Sequence, residues 1–365
     1  MLRAMAAALI ITFAAGASGA LARPASSITP DSINGAAPSG ATDTDPSLIA
    51  RAEVLLDRAH YSPGEIDGLD GDNFRGAVRA FQEVNGLPAT GKLDPGTWNA
   101  LAGKDLSPAL TSYTISDEDV AGPFTKAIPA NLVQLARLPG LSYTGPLPEI
   151  AEKFHMSPNL VRELNPRADF ERAGTEILVA SVPEMKLRSG RFTIEAVPPA
   201  ENAGPIATTI VVDKPTRNVR AYDRDGKLLA FFPATIGSEE KPAPSGDFKV
   251  RSVDWNPQYH YDPKFAWKGV NTKRKLTVQP GPNNPVGLVW IDLTAPSYGI
   301  HGTPAPEDIS KTQSHGCIRL TNWDAVELAT MTRPGTLVRF EDENTPVARL
   351  QQSATERRQT TRRQP

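Results

Sequence analysis

Six short runs of β-branched, aromatic and other apolar residues follow one another between residues 209 and 340, and they constrain the fold more than any other feature. The runs are Thr209–Asp213, Val219–Tyr222, Leu228–Phe232, Asp247–Val253, Leu288–Leu293 and Thr336–Phe340. Asp225-Gly226 separates the second and third runs and is typical of a tight β-hairpin turn. One helix is predicted among them, from Asn322 to Met331. The sequence therefore predicts a mainly β domain over residues 206–341.

Two smaller units are predicted before this domain. Over residues 47–103, apolar residues recur at helical spacing, and Asp94-Pro95 is a good start for a third helix, so we predict a three-helix bundle. Over residues 138–184, two short helical faces precede a strand, which predicts a small α+β module. Residues 23–46 and 104–137 are interpreted as linkers, since the first is rich in small and polar residues and the second is mixed.

The two ends of the chain carry separate signals. Residues 1–22 place Arg3 before an uncharged apolar stretch that closes with small residues, which predicts a secretory signal peptide cleaved after Ala22. The alternative is an uncleaved membrane anchor. Residues 345–365 contain five Arg and one Glu and are predicted to be a basic disordered tail. We therefore expect an exported protein.

Charge and cysteine content exclude several classes of function. The formal net charge is −2, which gives no electrostatic argument for nucleic-acid binding. A single cysteine, Cys317, excludes an intrachain disulfide and a multi-cysteine metal cluster.

Cys317 stands in a reactive setting. It follows His315-Gly316, and His301 lies sixteen residues upstream. Imidazole can serve as the base that a cysteine nucleophile needs, and a flanking glycine lets backbone N–H groups approach an oxyanion. A nucleophile is favoured over a buried structural thiol, a redox or intermolecular thiol, and a zinc site made by His301, His315 and Cys317. No metal or other cofactor is expected.

A family resemblance makes the chemistry specific. His301-Gly302-Thr303 followed by Ser314-His315-Gly316-Cys317-Ile318-Arg319-Leu320 resembles the active-site signature of the L,D-transpeptidase catalytic domain, a YkuD-like β-sandwich with a short helix. Pro244–Phe248 and Asn284–Gly287 resemble further segments of that family. Ala243 and Ser310 depart from its pattern, which usually has Thr and often Gly there.

The resemblance implies an acyl transfer on the stem peptides of peptidoglycan. Cys317 would be the nucleophile and His301 the proton donor and acceptor. His315 would orient the loop or the substrate, and the backbone of Gly316 would help to form the oxyanion hole. Arg319, Ser314 and Gly302 would contact the substrate. Cys317 would attack the diaminopimelate–D-Ala bond of a tetrapeptide, release D-Ala and form a thioester. Carbapenems are expected to acylate the same cysteine.

Two accessory resemblances point to the same polymer. Tyr61–Gly68, Ala77–Gln82 and Thr97-Trp98 are similar to a helical peptidoglycan-binding domain, and Leu147–Phe154 with Gly174–Val179 resembles a LysM module. Either unit could instead be a spacer that binds nothing. His60 and His155, in these two units, are expected on the surface, and Trp290 is expected in the core of the β domain.

The expected enzyme is therefore an L,D-transpeptidase of the periplasm or cell wall. An amine on a second stem peptide would resolve the thioester to a 3→3 cross-link, and an outer-membrane protein or lipoprotein is another possible acceptor. Two alternatives stay open, a hydrolase in which water resolves the thioester and a catalytically silent wall-binding scaffold.

Overall fold

The structure is a computed structural model that describes residues 28–38, 45–200, 204–238, 241–265, 272–312 and 316–342. The predicted signal peptide, the predicted tail, Ser314 and His315 lie outside the described residues. Within these ranges, no helix combines the length and the apolar character that a membrane crossing requires.

The N-terminal region contains four helices, α1 to α4. They are α1 (Pro30–Gly35), α2 (Pro46–Arg58), α3 (Asp72–Val84) and α4 (Pro95–Ala102). The side chain of Asp94 accepts a hydrogen bond from the backbone N–H of Thr97, so α4 begins at the predicted cap. The linker predicted over residues 23–46 is wrong for part of its length, because α1 forms there and buries Ile33 completely.

The middle region pairs two strands and carries four short helices. In chain order they are β1 (Leu110–Thr114), α5 (Asp117–Ala121), α6 (Leu132–Leu135), α7 (Pro146–Lys153), α8 (Pro158–Leu164) and β2 (Glu176–Ala180). Strand β1 pairs antiparallel with β2, from Leu110 opposite Ala180 to Thr114 opposite Glu176. The linker predicted over residues 104–137 is therefore wrong, because it supplies the strand that completes this module. A hairpin of β3 (Leu187–Ser189) and β4 (Ile194–Ala196) follows.

The C-terminal domain is mainly β, as predicted. Its strands are β5 (Thr209–Asp213), β6 (Asn218–Tyr222), β7 (Leu228–Pro233), β8 (Thr235–Ile236), β9 (Gly246–Trp255), β10 (Tyr259–Tyr261), β11 (Leu276–Val278), β12 (Val289–Leu293), β13 (Gly299–His301), β14 (Ile318–Arg319) and β15 (Leu337–Glu341). Its helix is α9 (Asn322–Met331), and Pro263–Phe265 and Pro306–Asp308 form 3-10 turns.

The described strands form one nine-stranded sheet in the order β7-β6-β5-β15-β9-β12-β13-β14-β8, and β10 and β11 form a separate hairpin. Strand β5 runs parallel to β15, and β13 runs parallel to β14, while the other neighbours are antiparallel. The core lies between the sheet and α9, and includes Ile210, Phe232, Ile291, Ile300 and Leu328. The apolar sides of the strands meet there, which stabilises the domain.

The three regions are joined by backbone hydrogen bonds. Phe231 in β7 donates its backbone N–H to His60 O and accepts from Ser62 N, both at 2.9 Å, and its ring lies in the core of the helical region. Ile66 makes a similar bridge to the middle region, donating to His155 O at 2.8 Å. The regions therefore form interfaces with one another along the chain.

The prediction that His155 lies on the surface is wrong. Its side chain is buried between regions, with Nδ1 3.0 Å from the Asp57 carboxylate and the ring stacked on Trp323 at 5.5 Å. Asp57 belongs to the helical region and Trp323 to α9, so the histidine lies where all three regions meet. His60 keeps more exposure and contacts Glu327 at 2.7 Å.

Candidate active site

Two short parallel strands bring the predicted chemistry together. In the pairing of β13 with β14, Ile300 lies opposite Ile318 and His301 lies opposite Arg319. Cys317 directly precedes β14, so it is next to the segment that leads into His301. Both isoleucines are completely buried and anchor the two strands in the core. His301 therefore lies on a paired strand, and Cys317 directly precedes its partner strand.

The side chain of His301 is buried and held in one orientation. Its Nδ1 lies 2.7 Å from the carbonyl oxygen of Gly302, and because a carbonyl only accepts, Nδ1 carries the proton. The lone pair is then on Nε2, where it can accept a proton. The ring stacks on Trp290 at 5.3 Å between centroids. Burial, with a smaller contribution from the charge of Arg319, lowers the pKa of His301 to about 3, so the imidazole is neutral at pH 7.

Cys317 is partly buried and weakly bound by backbone groups. Its Sγ lies 3.9 Å from Ser297 O, and the backbone N–H of Gly299 donates to the sulfur. Burial raises the pKa of the thiol, while the Gly299 N–H and the charge of Arg319 oppose this rise. A raised pKa for Cys317 and a lowered pKa for His301 together indicate a neutral thiol and a neutral imidazole in the resting site.

The backbone conformation of Gly316 requires a glycine. Its φ is 104°, in the region that favours glycine, and a Cβ there would lie 2.8 Å from the ring of Tyr298. A side chain at this position would thus be strained and would collide with a neighbour. The absence of one brings the chain before Cys317 close to Tyr298.

Arg319 and Tyr259 both interact electrostatically with Cys317. Burial lowers the pKa of Arg319, although Cys317, Asp308 and Tyr259 favour its charged form. Burial also raises the pKa of Tyr259, which interacts electrostatically with both Cys317 and Arg319. Tyr259 lies on the β10–β11 hairpin, outside the main sheet. The sequence analysis did not single out this residue.

Trp290 lies against the ring of His301. It was predicted to lie in the core, but it is only half-buried and its ring covers His301. The strand register explains this, because Trp290 lies directly opposite His301 in the pairing of β12 with β13. The alternation of Val289, Trp290 and Ile291 could have shown that the tryptophan points away from the core.

Ser310 has a backbone conformation that favours glycine. Its φ is 65°, which strains a non-glycine residue, and its N–H and hydroxyl bond to Thr235 Oγ1 and Ala234 O at 2.9 and 3.2 Å. These bonds hold the residue although it departs from the family pattern.

Comparison with known proteins finds two family matches in the chain. The L,D-transpeptidase catalytic domain (YkuD) family matches residues 207–340, and the family described as "Putative peptidoglycan binding domain" matches residues 47–101. The Bacillus licheniformis protein named "Putative L,D-transpeptidase YkuD" is 33% identical over 142 residues, which cover 39% of this chain and 70% of that protein.

Two further relatives extend the comparison. The Bacillus subtilis protein named "Putative L,D-transpeptidase YqjB" is 33% identical over 153 residues, covering 40% of this chain and 78% of the relative. A solved L,D-transpeptidase from Mycobacterium smegmatis is 19% identical with a TM-score of 0.31, and the match covers 48% of this chain and 77% of that chain. On the match to the catalytic domain and the 33% identity to the two Bacillus relatives, the chain belongs to the L,D-transpeptidase family.

Proposed function

We propose that the protein cleaves and transfers peptidoglycan stem peptides through a thioester on Cys317. The observation that carries the proposal is the hydrogen bond from His301 Nδ1 to Gly302 O, which leaves Nε2 free to take a proton. The thiol and imidazole are both neutral at rest, so proton transfer to Nε2 accompanies attack by sulfur.

The first half of the reaction forms the acyl-enzyme. Cys317 Sγ bonds to the carbonyl carbon of the third stem residue, normally diaminopimelate, while its proton passes to His301. The carbon–nitrogen bond to D-Ala breaks, and His301 returns the proton to the departing amine. The backbone N–H groups of Gly316 and Cys317 are proposed to stabilise the oxyanion.

The second half transfers the acyl group to an amine. The acceptor nitrogen attacks the thioester and loses a proton to His301, and the thiolate leaves and recovers it as a thiol. A diaminopimelate side chain on another stem would give a 3→3 cross-link. Arg319 carries the positive charge at the site and is proposed to contact a stem carboxylate, with Ser314, His315 and Gly302 as further positions around the substrate.

Wall binding would keep the enzyme near its substrate. Residues 47–101 match a peptidoglycan-binding family, so we propose that this region binds the polymer and raises the local concentration of stem peptides. The middle region is proposed to assist as a LysM-like module, and the predicted signal peptide would place the protein in the periplasm or cell wall.

Mass spectrometry of muropeptides tests the reaction directly. Purified wild-type protein, Cys317→Ala and His301→Gln are incubated with disaccharide-tetrapeptide. We expect the wild type to release D-Ala and form a 3→3 dimer, and each variant to lose about 10⁴-fold in turnover. A mass increase on Cys317 during turnover, or with a carbapenem, would identify the acyl-enzyme.

Other products would select among the alternatives. Cysteine-dependent tripeptide without dimer would indicate a hydrolase or a protein or free amino-acid acceptor. No turnover by the wild type, with unchanged sacculus binding by Cys317→Ala, would favour the scaffold and contradict the proposal.

A further inference from the structure

Asn322 packs against Gly302, the residue whose carbonyl oxygen binds His301. It is the first residue of α9, and its side chain is completely buried. Its Oδ1 accepts a hydrogen bond from Leu288 N at 3.1 Å. The same oxygen lies only 2.1 Å from where a Cβ on Gly302 would stand and 2.0 Å from a Cβ on Gly287. Asn322 is thus in close contact with the backbone whose carbonyl binds His301.

The other end of the same amide is held by the middle region. Asn322 Nδ2 donates to Glu152 Oε1 at 2.8 Å and to Pro282 O at 3.2 Å. Glu152 lies on α7, and its Oε1 also accepts from the hydroxyl of Tyr143 at 2.9 Å. Both Tyr143 and Glu152 precede the catalytic domain in the chain. The contact therefore links two separately predicted units.

Backbone groups on both sides fix the orientation of the amide. The Leu288 N–H can only donate and the Pro282 carbonyl can only accept, so the Asn322 NH₂ group faces Pro282 and Glu152. Burial raises the pKa of Glu152 to about 7, while the hydrogen bonds from Asn322 and Tyr143 favour its charged, accepting form. The carbonyl end then faces Leu288 and Gly302. A reversed amide would place its NH₂ group against the Leu288 N–H and leave both donors without an acceptor, at a cost typical of buried unsatisfied groups.

We propose that Glu152 and Asn322 are positioning residues for His301, so that the middle region helps to set the geometry of the catalytic domain. Glu152 orients Asn322, Asn322 supports Gly302, and the Gly302 carbonyl holds the His301 proton on Nδ1. The effect would fall on the chemical step, because neither residue contacts the substrate in this scheme. This inference rests on the proposed role of His301 as the proton acceptor.

Four variants separate positioning from general stability. Glu152→Ala removes both hydrogen bonds at Oε1, and Asn322→Ala removes the amide. Glu152→Gln keeps an oxygen that can accept from Tyr143 and Asn322. Glu149→Ala is the matched control, since Glu149 is a buried carboxylate one turn earlier on α7. Glu149 interacts electrostatically with Lys153, Asp119 and Glu152, none of which belongs to α9.

Steady-state kinetics with the tetrapeptide give the first readout. We expect Glu152→Ala and Asn322→Ala to lower kcat about tenfold to hundredfold with KM changed less than about twofold, as for loss of a supporting residue at a catalytic site. Glu152→Gln and Glu149→Ala should stay within about threefold of the wild type. Circular dichroism and thermal melting identify any variant that fails to fold.

Nitrogen-15 NMR of the His301 ring gives a second readout that needs no substrate. The wild type should show the Nδ1–H tautomer, and Glu152→Ala should show mixed tautomers or a moving ring. Wild-type kcat and ring signals in a folded Glu152→Ala protein, or an equal kcat loss in Glu149→Ala, would overturn the proposal. An inactive wild type with the Nδ1–H tautomer lost only in Glu152→Ala would instead overturn the proposed function and support the positioning.

Discussion

Replacing Gly302 with alanine tests how closely Gly302 packs against Asn322. A Cβ at this position would lie 2.1 Å from Asn322 Oδ1 and 3.2 Å from Asn322 Cγ. The backbone of Gly302 is outside the left-handed region, so alanine can adopt its φ and the cost is steric. Since carbon–oxygen contacts below 3.0 Å are essentially not observed, the two atoms must separate by roughly 1 Å.

The expected cost can be added from two contributions. Overpacking a buried site costs about 1–3 kcal/mol. If Asn322 Oδ1 moves away, the Leu288 N–H is left unpaired in the core, which costs about 1–3 kcal/mol more. The free energy of unfolding should then fall by about 2–6 kcal/mol, equivalent to a drop in Tm of about 5–20 °C for a domain of this size. Turnover should fall as well, because the carbonyl that binds His301 belongs to the displaced residue.

Differential scanning calorimetry and the tetrapeptide assay measure both effects. Gly35→Ala is the control, because Gly35 ends a helix and nothing lies within 4 Å of its added Cβ. We expect that variant to stay within about 1 kcal/mol of the wild type. Adding Asn322→Ala to Gly302→Ala removes the opposing oxygen, so the two substitutions together should cost less than the sum of their separate costs, with a coupling of about 0.5–3 kcal/mol.

A Gly302→Ala protein that melts and turns over like the wild type would refute this reasoning. It would mean that Asn322 relaxes at no cost and that the backbone carbonyl of residue 302 tolerates movement. A large loss without any coupling to Asn322→Ala would also contradict the proposed contact, since the clash is then with another group.

Three further predictions test the site and its interfaces. Arg319→Met should raise the pH midpoint of Cys317 alkylation by iodoacetamide. Burial raises the pKa of the Cys317 thiol, and the charge of Arg319 opposes this rise, so its removal should raise the pKa further. A lower midpoint in the variant would contradict this prediction. Burial alone lowers the pKa of His155, but Asp57, with Asp324 and Glu327, raises it overall. Protonated His155 therefore stabilises the folded state. This stabilisation is complete below pH 6.5, the pKa of histidine in the unfolded chain, and is lost as the pH rises above the raised pKa of the folded state. His155→Gln should thus lower Tm more at pH 6 than at pH 9. Phe231→Ala should cost about 3–5 kcal/mol and expose the helical region to limited proteolysis, whereas unchanged cleavage would refute the docking.

Local signals in the sequence were enough for most of the regular elements. Strand Thr209–Asp213 and helix Asn322–Met331 were predicted with the bounds that they have in the structure. Apolar alternation along a strand and an N-cap before a helix depend only on neighbouring residues, so both can be recognised without knowing the rest of the fold. The Asp225-Gly226 turn was found for the same reason, and the hairpin of β6 and β7 forms around it.

Strand Leu110–Thr114 could not be predicted from such local signals. Only Leu110 of its five residues is fully buried, so the segment has no clear apolar alternation. It becomes a strand because Glu176–Ala180, which follows four intervening helices, offers a partner edge. Helix Pro30–Gly35 was missed for a related reason, because its one buried side chain, Ile33, finds its core in the middle region. Pairing over long distances in the chain decides both elements.

The proposed reacting groups can be recognised from the sequence, whereas the residues proposed to position them cannot. Cys317 is the only cysteine of the chain and His301 is one of five histidines, so their rarity and spacing draw attention. Glu152 and Asn322 are common residue types 170 positions apart, and only the docking of α7 against α9 brings them into contact. A fragment restricted to residues 206–341 would therefore keep every residue of the signature and lose Glu152. If Glu152 positions His301 through Asn322, that fragment should fold as a β domain and still turn over more slowly than the full chain.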